Sequence, residues 1–343
     1  MKYIHSSDFL SSGKSSPVID VRSPVEFRKG HINGAVNIPL FSDEERKEVG
    51  IIYKNFGRTN AIEKGLGIVG PKMMALAQKA KKLSDSNKRK VYCWRGGMRS
   101  EKMSWLFETI GMECQILKGG YKAYRNQMIS DFKNIKELII LHGSTGSGKT
   151  EILYEFKRMG EQIIDLERIA HHKGSVFGHI GLDEQPSSQQ FQNDVYNALL
   201  QLNPQKRIWV ECESLKIGTV NLHDALWERM KSAVVVEIIV EKFDRIKRLE
   251  QEYGSLPKDQ LGEGINKLNG QISKDKINNS IKLLNENNVS AAIEIVLDYY
   301  DRTYDFTKRR FRNNSIFTVY TESSDAQKNA GHILTELKKA HKN

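Results

Sequence analysis

The sequence predicts an α/β protein of two domains, an N-terminal parallel-sheet domain followed by a P-loop NTPase-like α/β domain with a helical insertion. Three observations predict it. At 343 residues the chain exceeds one ordinary domain. Short apolar strands alternate with helical stretches, the rhythm of parallel sheets. One strand runs directly into a full G-x-x-x-x-G-K-[ST] motif, and a helix follows. The boundary is expected near residue 125, giving domains 1–125 and 126–343, with the helical region at about 242–312.

In the first domain Pro17–Val21 reads as a buried strand, and Ala35–Ile38 as a second, ended by Pro39. Lys90–Cys93 is a third. It enters a glycine-bearing loop and then a helix over Ser100–Ile110, which puts Met103, Leu106, Phe107 and Ile110 on one face. Gly111 stops that helix, and Glu113–Leu117 is a fourth strand, closed by Gly119-Gly120. Residues 121–135 read as a polar connecting helix. The second domain opens on the strand Glu137–Leu141. Further strands are expected at Gln162–Asp165, Arg207–Glu211, Ala233–Val240 and Ser315–Tyr320. Helices are expected over Lys242–Arg312, with a glycine-rich break around Gly262–Gly264, and over about Asp325–Lys342.

Composition narrows the class. Hydrophobic residues are 39% of the chain, enough for two cores and too many for global disorder. No apolar run approaches the ~18 residues that span a bilayer, and the N-terminus has no signal-peptide core. Three cysteines cannot form a disulfide framework, so they read as thiols of a reducing, cytoplasmic compartment. The net charge of +11 sits wholly in the first third, where residues 1–125 hold 23 Lys and Arg against 12 Asp and Glu. Lys79, Lys81, Lys82, Lys88, Arg89, Lys90, Arg95 and Arg99 cluster before and inside the cysteine loop. Such a run is either a solvated face or a surface for a polyanion such as nucleic acid.

The motif is Gly143-Ser144-Thr145-Gly146-Ser147-Gly148-Lys149-Thr150. Its glycines let backbone amides turn inward around an anion, and the helix N-terminus adds positive potential. Lys149 reaches the outer phosphates, and Thr150 is the ligand for Mg²⁺ where one binds. No base-recognition motif accompanies it, and no tightly held cofactor is expected. Glu211, after the strand Ile208–Val210, is one candidate for the acid that serves such a loop. Asp165, in Asp165-Leu166-Glu167, is the rival.

Cys93-Trp94-Arg95-Gly96-Gly97-Met98-Arg99 joins a strand to a helix N-terminus. Backbone amides, the helix dipole, Arg95 and Arg99 are expected to favour a thiolate at Cys93, a nucleophile or a chalcogen carrier. Cys114 and Cys212 read as packing thiols. Gly65 and Gly67, in a Gly-Leu-Gly stretch, read as a turn, with close approach of substrate to backbone as the alternative.

Asp20-Val21-Arg22-Ser23-Pro24-Val25-Glu26-Phe27 and Gly30-His31-Ile32-Asn33-Gly34-Ala35-Val36-Asn37-Ile38-Pro39 resemble the hallmark stretches of a rhodanese domain. The resemblance implies that Cys93 carries the chalcogen, whereas Asp20, Arg22 and His31 hold the fold. Rhodanese loops are commonly six residues; this one is seven, as in rhodanese-like phosphatases, which implies a phosphate-sized ligand. Further segments resemble the tRNA 2-selenouridine synthase family: Asp43–Gly50 with Tyr53-Lys54, Cys93–Ser100, Gly119–Ala123, Asp165–Glu167, Gly174–Gly178, Glu211–Ser214 and Glu250–Tyr253, with a weaker echo at Tyr299-Tyr300-Asp301. Cys212 departs from the Asp frequent there in the family, and 255–298 gives little to match.

This resemblance implies a two-step reaction on 2-thiouridine at the wobble position of tRNA. Geranyl diphosphate alkylates the sulfur, and selenium from selenophosphate then replaces the geranylated sulfur. Gly143–Thr150 would hold the diphosphate. Cys93 would carry selenium as a selenenyl sulfide, cradled by Arg95, Gly96, Gly97 and Arg99. The basic first domain would hold tRNA phosphates, with Trp94 and Tyr121 either stacking on the base or packing in the core. Two alternatives stand beside this reading: a P-loop kinase or NTPase with a regulatory rhodanese domain, and a sulfurtransferase.

Overall fold

Two five-stranded sheets form, and every pairing within them is parallel. The structure, a computed structural model, describes residues 1–11, 16–308, 316–321 and 325–340. The chain divides into two units, Met1–Asp131 and Phe132–Asn343.

The first unit holds β1 (Lys2–Ile4), β2 (Val18–Asp20), β3 (Ala35–Asn37), β4 (Lys88–Tyr92) and β5 (Glu113–Leu117), in the order β1-β5-β4-β2-β3. The central strand β4 sets Val91 opposite Ile19 on one side and Ile116 on the other. Its last four residues are buried, Arg89 and Lys90 among them. Arg89 donates to the carbonyls of Ala80, Lys81, Ser84, Ser86 and Lys88, and Lys90 Nζ donates to the Phe9 carbonyl at 2.8 Å. These two cations therefore tie the chain together and drop out of the basic cluster expected before the cysteine loop.

Crossover helices cover the sheet. The helix Met98–Thr109 buries Met103, Leu106 and Phe107 against Ile19, Val91 and Ala80, each large side chain contributing about 1.5–3 kcal/mol. The helix Gly120–Lys133 is amphipathic where a polar one was expected. Tyr121, Tyr124, Met128 and Phe132 recur at helical spacing and are all buried. The helical segment Asp43–Val69, two helices that meet at Gly57, starts at a capping box: Glu45 N–H donates to Ser42 Oγ at 3.2 Å, and Ser42 N–H donates to Glu45 Oε2 at 2.7 Å. Gly65 and Gly67 lie inside the second helix and make no turn, Gly65 because its missing side chain admits the Phe41 ring.

The second unit holds β6 (Leu138–Gly143), β7 (Gln162–Ile164), β8 (Ile208–Glu211), β11 (Val234–Ile239) and β12 (Ile316–Tyr320), in the order β12-β11-β6-β8-β7. A short antiparallel pair, β9 (Lys216–Ile217) and β10 (Val220–Asn221), follows β8. From β6 the chain runs out to the β7 edge, returns to β8 and then crosses β6 to β11 on the other side, so the C-terminal end of β6 lies at the switch point where α/β sheets bind ligands. The expected helical region comprises Lys242–Tyr253, Lys258–Asn266, Lys274–Asn285 and Val289–Lys308. Its own core gathers Leu249, Leu261, Ile265, Ile293 and Leu297 around Phe177. Gly262 and Gly264 do not break it. They sit within a helix, where a Cβ on Gly264 would lie 2.7 Å from the Phe177 ring. Ser315, residues 309–312 and Lys342, expected at the ends of elements, lie outside the described residues.

Candidate active-site loops

Cys93 stands at the C-terminal end of β4, 3% exposed. Its Sγ is 3.3 Å from Ser100 Oγ, which in turn donates to the Gly97 carbonyl at 2.9 Å. The loop is pinned from below by the turn after β5. Tyr121 N–H donates to the Cys93 carbonyl at 2.8 Å, and Lys122 N–H to the Trp94 carbonyl at 3.0 Å. Gly96 and Gly120 both have positive φ and meet backbone to backbone. A Cβ on Gly96 would lie 2.5 Å from the Leu117 carbonyl, and one on Gly120 would lie 2.3 Å from the Cys93 carbonyl. Gly97 meets nothing, so its face of the loop is open.

The two arginines of the loop differ. Arg99 Nη1 donates to Glu26 Oε2 at 2.8 Å and is half-buried. Burial pushes the Glu26 carboxyl up, but the Arg99 charge and hydrogen bond, with the Ser23 amide, outweigh it and hold it below the ordinary value. Arg95 is exposed and has no ion-pair partner among the described residues. Behind the loop, Arg22 and Asp20 form a fully buried bidentate pair at 2.6 Å, capped by the Gly30 carbonyl and the Tyr121 ring face. They hold the fold, as does His31, stacked on Phe27. Tyr121 is fully buried between Tyr92 and Tyr124, so it packs and cannot stack on a base; Trp94 remains 38% exposed.

In the second unit Gly143 ends β6 and Lys149 begins the helix Lys149–Arg158. Gly146 and Gly148 take φ of 80° and 78°, as the inward turn of the loop requires. Lys149 Nζ donates to the Gly143 carbonyl at 2.8 Å, Thr150 Oγ1 to Glu167 Oε2 at 3.4 Å. Three carboxyls gather here. Glu211 ends β8 beside β6 and accepts from the Glu167 amide at 2.9 Å, while its second oxygen is buried with no hydrogen-bond partner among the described residues. Burial, then Glu213 and Glu211, push the Glu167 carboxyl up to about 10 against the pull of Lys149. Burial likewise raises Glu211 and Glu213. Asp165 lies beside this cluster, and its charge raises Glu211 as well. It caps the helix Leu166–Ala170 through the Arg168 amide at 2.8 Å and accepts from Tyr154 Oη at 2.7 Å.

Sequence reasoning missed several residues at these loops. Ser100 and Glu26 fall inside the segments that carry the family resemblance, but nothing in those segments marks their link to Cys93 and Arg99. Glu213 carried a signal: with Glu211 it alternates along an extended segment, and alternate residues share a side. Arg245 and Arg248, one helical turn apart, reach the P-loop. Arg245 Nη1 donates to the Thr145 carbonyl at 3.2 Å and pairs with Asp301 at 2.7 Å, and the Arg248 guanidinium lies over Gly148. Cys114 and Cys212 are buried, and burial raises the Cys114 thiol to about 12.

Residues 7–127 match the rhodanese-like domain family, and residues 136–287 match the tRNA 2-selenouridine synthase AAA domain. The chain is 36% identical over 258 residues to a tRNA 2-selenouridine synthase of Shewanella denitrificans, covering 73% of this chain and 69% of that one. The chain belongs to the tRNA 2-selenouridine synthase family. A second member, from Shewanella halifaxensis, is 35% identical over 341 residues, 88% of this chain and 91% of the relative. Among solved structures, the chain is similar to the N-terminal domain of an ATP/GTP binding protein from Clostridium difficile 630. That match has a TM-score of 0.35 and 38% identity, covering 37% of this chain and 98% of that one. Among the described residues no helix is long and apolar enough to cross a membrane, and no group of three or more His, Cys, Asp and Glu is arranged to hold a metal ion.

Proposed function

We propose that this enzyme converts wobble 2-thiouridine of tRNA to 2-selenouridine in two steps, one at each loop. In the first, the thiocarbonyl sulfur attacks C1 of geranyl diphosphate. The C–S bond forms, the C–O bond breaks, diphosphate leaves, and the base loses its N3 proton. Gly143–Thr150 holds the departing diphosphate, with Lys149 offsetting the charge that builds on its oxygens. Where Mg²⁺ takes part, Thr150 is its ligand in the loop and Glu211 the nearby acid. In the second step selenium replaces the geranylated sulfur. Selenophosphate and water supply selenide and phosphate, the C2–Se bond forms, and geranyl thiol leaves with the C2–S electrons. The Cys93 thiolate takes the phosphoryl group, the S–P bond forming as the P–Se bond breaks, so that selenium leaves as selenide for the base and water then frees the phosphate. Arg99, Arg95 and the Gly96-Gly97 backbone receive the anionic donor.

The observation that carries this reading is the pairing, on one chain of this family, of a thiol loop with a diphosphate loop. Cys93 Sγ lies under an open glycine face beside Ser100. The fold gives the P-loop a buried acidic wall at Lys149 and Thr150. S-geranylation supports the order of the steps, because it turns a poor leaving group into a thiol that departs.

Mass spectrometry of a tRNA bearing 2-thiouridine tests it, with geranyl diphosphate alone and then with selenophosphate added. Lys149→Ala is expected to block the geranyl adduct. Cys93→Ser is expected to leave the geranyl adduct and block selenium entry. Full selenation by Cys93→Ser would remove Cys93 from the mechanism, and the lack of any adduct with the unaltered enzyme would remove the two-step scheme.

A further inference from the structure

The helix Asp43–Val69 is long but poorly covered. Of its 27 residues only Ala61 and Gly65 are buried. Every residue from Tyr53 to Asn60 is exposed, Tyr53 at 60% and Phe56 at 66%. Lys54 and Arg58 are interleaved with these rings and have no hydrogen-bond or ion-pair partner among the described residues. The helix breaks at Gly57, whose φ of 85° and ψ of −176° fall in a region essentially restricted to glycine. The break is built rather than frayed: Asn60 Nδ2 donates to the Phe56 carbonyl at 2.7 Å.

The foot of this helix is fixed at the cysteine loop. Arg46, in its first turns, and Arg99 of the loop share Glu26 Oε2, at 4.0 and 2.8 Å. Ten residues at 1.5 Å each set Phe56 roughly 15 Å along the axis from Arg46. Rings with cations between them, raised from the rim of a reactive loop, match single-stranded nucleic acid, whose bases stack and whose phosphates alternate with them. A membrane-surface helix would instead segregate its cations from one apolar face.

We infer that the tip of Asp43–Val69 docks the substrate RNA: Tyr53 and Phe56 stack on unpaired bases, and Lys54 and Arg58 hold the flanking phosphates. This rests on the tRNA reading above and deepens it. The test is fluorescence anisotropy of a tRNA bearing wobble 2-thiouridine with the full chain, across a salt series. Tyr53→Ala/Phe56→Ala weakens binding about tenfold or more, with the salt slope unchanged. Lys54→Ala/Arg58→Ala reduces the slope of log K against log salt by about 1.4–1.8. The replaced side chains are exposed, so thermal midpoints stay at the parent value and the losses read as binding. If the parent binds and both variants bind within twofold of it, the tip is not the docking element and the tRNA reading survives. If the parent does not bind, both fail. Sedimentation and vesicles containing phosphatidylserine complete the test. Should the aromatic variant dissolve a dimer or abolish vesicle binding while RNA affinity is unchanged, the occupant is a second copy or a lipid surface, and the inference is overturned.

Discussion

The cysteine loop and the P-loop both turn on backbone glycines, but they are held in place by different matter. The Cys93 loop rests on backbone. Gly96 and Gly120 touch the carbonyls of Leu117 and Cys93, atoms that cannot yield without moving two strands. The P-loop is hemmed mostly by side chains, Ile238 at Gly143, Leu249 at Gly146 and Arg248 at Gly148, with the Arg245 carbonyl also close to Gly146. Their charges differ as well. The first loop pairs its half-buried arginine with one carboxylate. The second sets one lysine before three carboxyls whose proton affinity burial raises. The first is thus a rigid cradle, and the second a more deformable one whose charge depends on pH and on what it binds.

Glycine substitutions test the contrast most severely. Gly120→Ala puts a methyl into two backbones at positive φ, and a loss on the order of 4 kcal/mol or more in the first unit is expected. Denaturant unfolding, with Cys93 alkylation as a second probe, measures it. Next is the ion pair. Glu26→Gln strips Arg99 of its charged partner and is expected to cost about 2–3 kcal/mol. It should slow selenium entry while geranylation proceeds, and equal losses in both steps would show that the effect is general.

The third test is pH. Glu167 is raised from 4.5 to about 10, so between those values the folded state binds more protons than the unfolded. The stabilising contribution is full below about 4.5 and is lost as pH rises toward 10. At a limit of about 1.4 kcal/mol per pH unit and proton, Glu167 should account for at most about 2–3 kcal/mol of the second unit's loss between about pH 6 and pH 8. Glu167→Gln should flatten that slope in a thermal-unfolding series, and a slope as steep in the variant would assign it to other groups. The smallest effect is expected from Gly148→Ala. There φ is positive, but the obstacle is a guanidinium able to swing aside, so about 1–2 kcal/mol is expected. A Gly148→Ala loss equal to that of Gly120→Ala would erase the distinction between the loops.

The P-loop was legible because its signal is local: glycine, lysine and threonine at fixed spacing between a strand and a helix do the work wherever they occur. The Cys93 loop was legible for the same reason, as were most strands, to within a residue or two. Elements that depend on distant partners were not. The stripe Tyr121, Tyr124, Met128 and Phe132 sits among enough polar residues to read as a solvated helix. Gly264 reads as a breaker until the Phe177 ring it admits is seen. Lys90 reads as surface charge because its partner, the Phe9 carbonyl, is 81 residues away, and Arg89 because the turn before β4 must fold its five carbonyls onto the guanidinium first.

By itself the sequence determined two α/β units, a cysteine-bearing loop at one strand end and a P-loop motif at another, because backbone conformation and short-range spacing carry those features. Tertiary structure decided which groups act with them. It gave Arg99 its Glu26, set Glu213 and Glu167 with Glu211 at Lys149, brought Arg245 and Arg248 onto the P-loop, and left the Tyr53–Arg58 tip uncovered. The reason is physical. Charge pairing and burial depend on distance in space, and residues such as Glu26 and Arg99 are brought within 2.8 Å only when the sheet has closed.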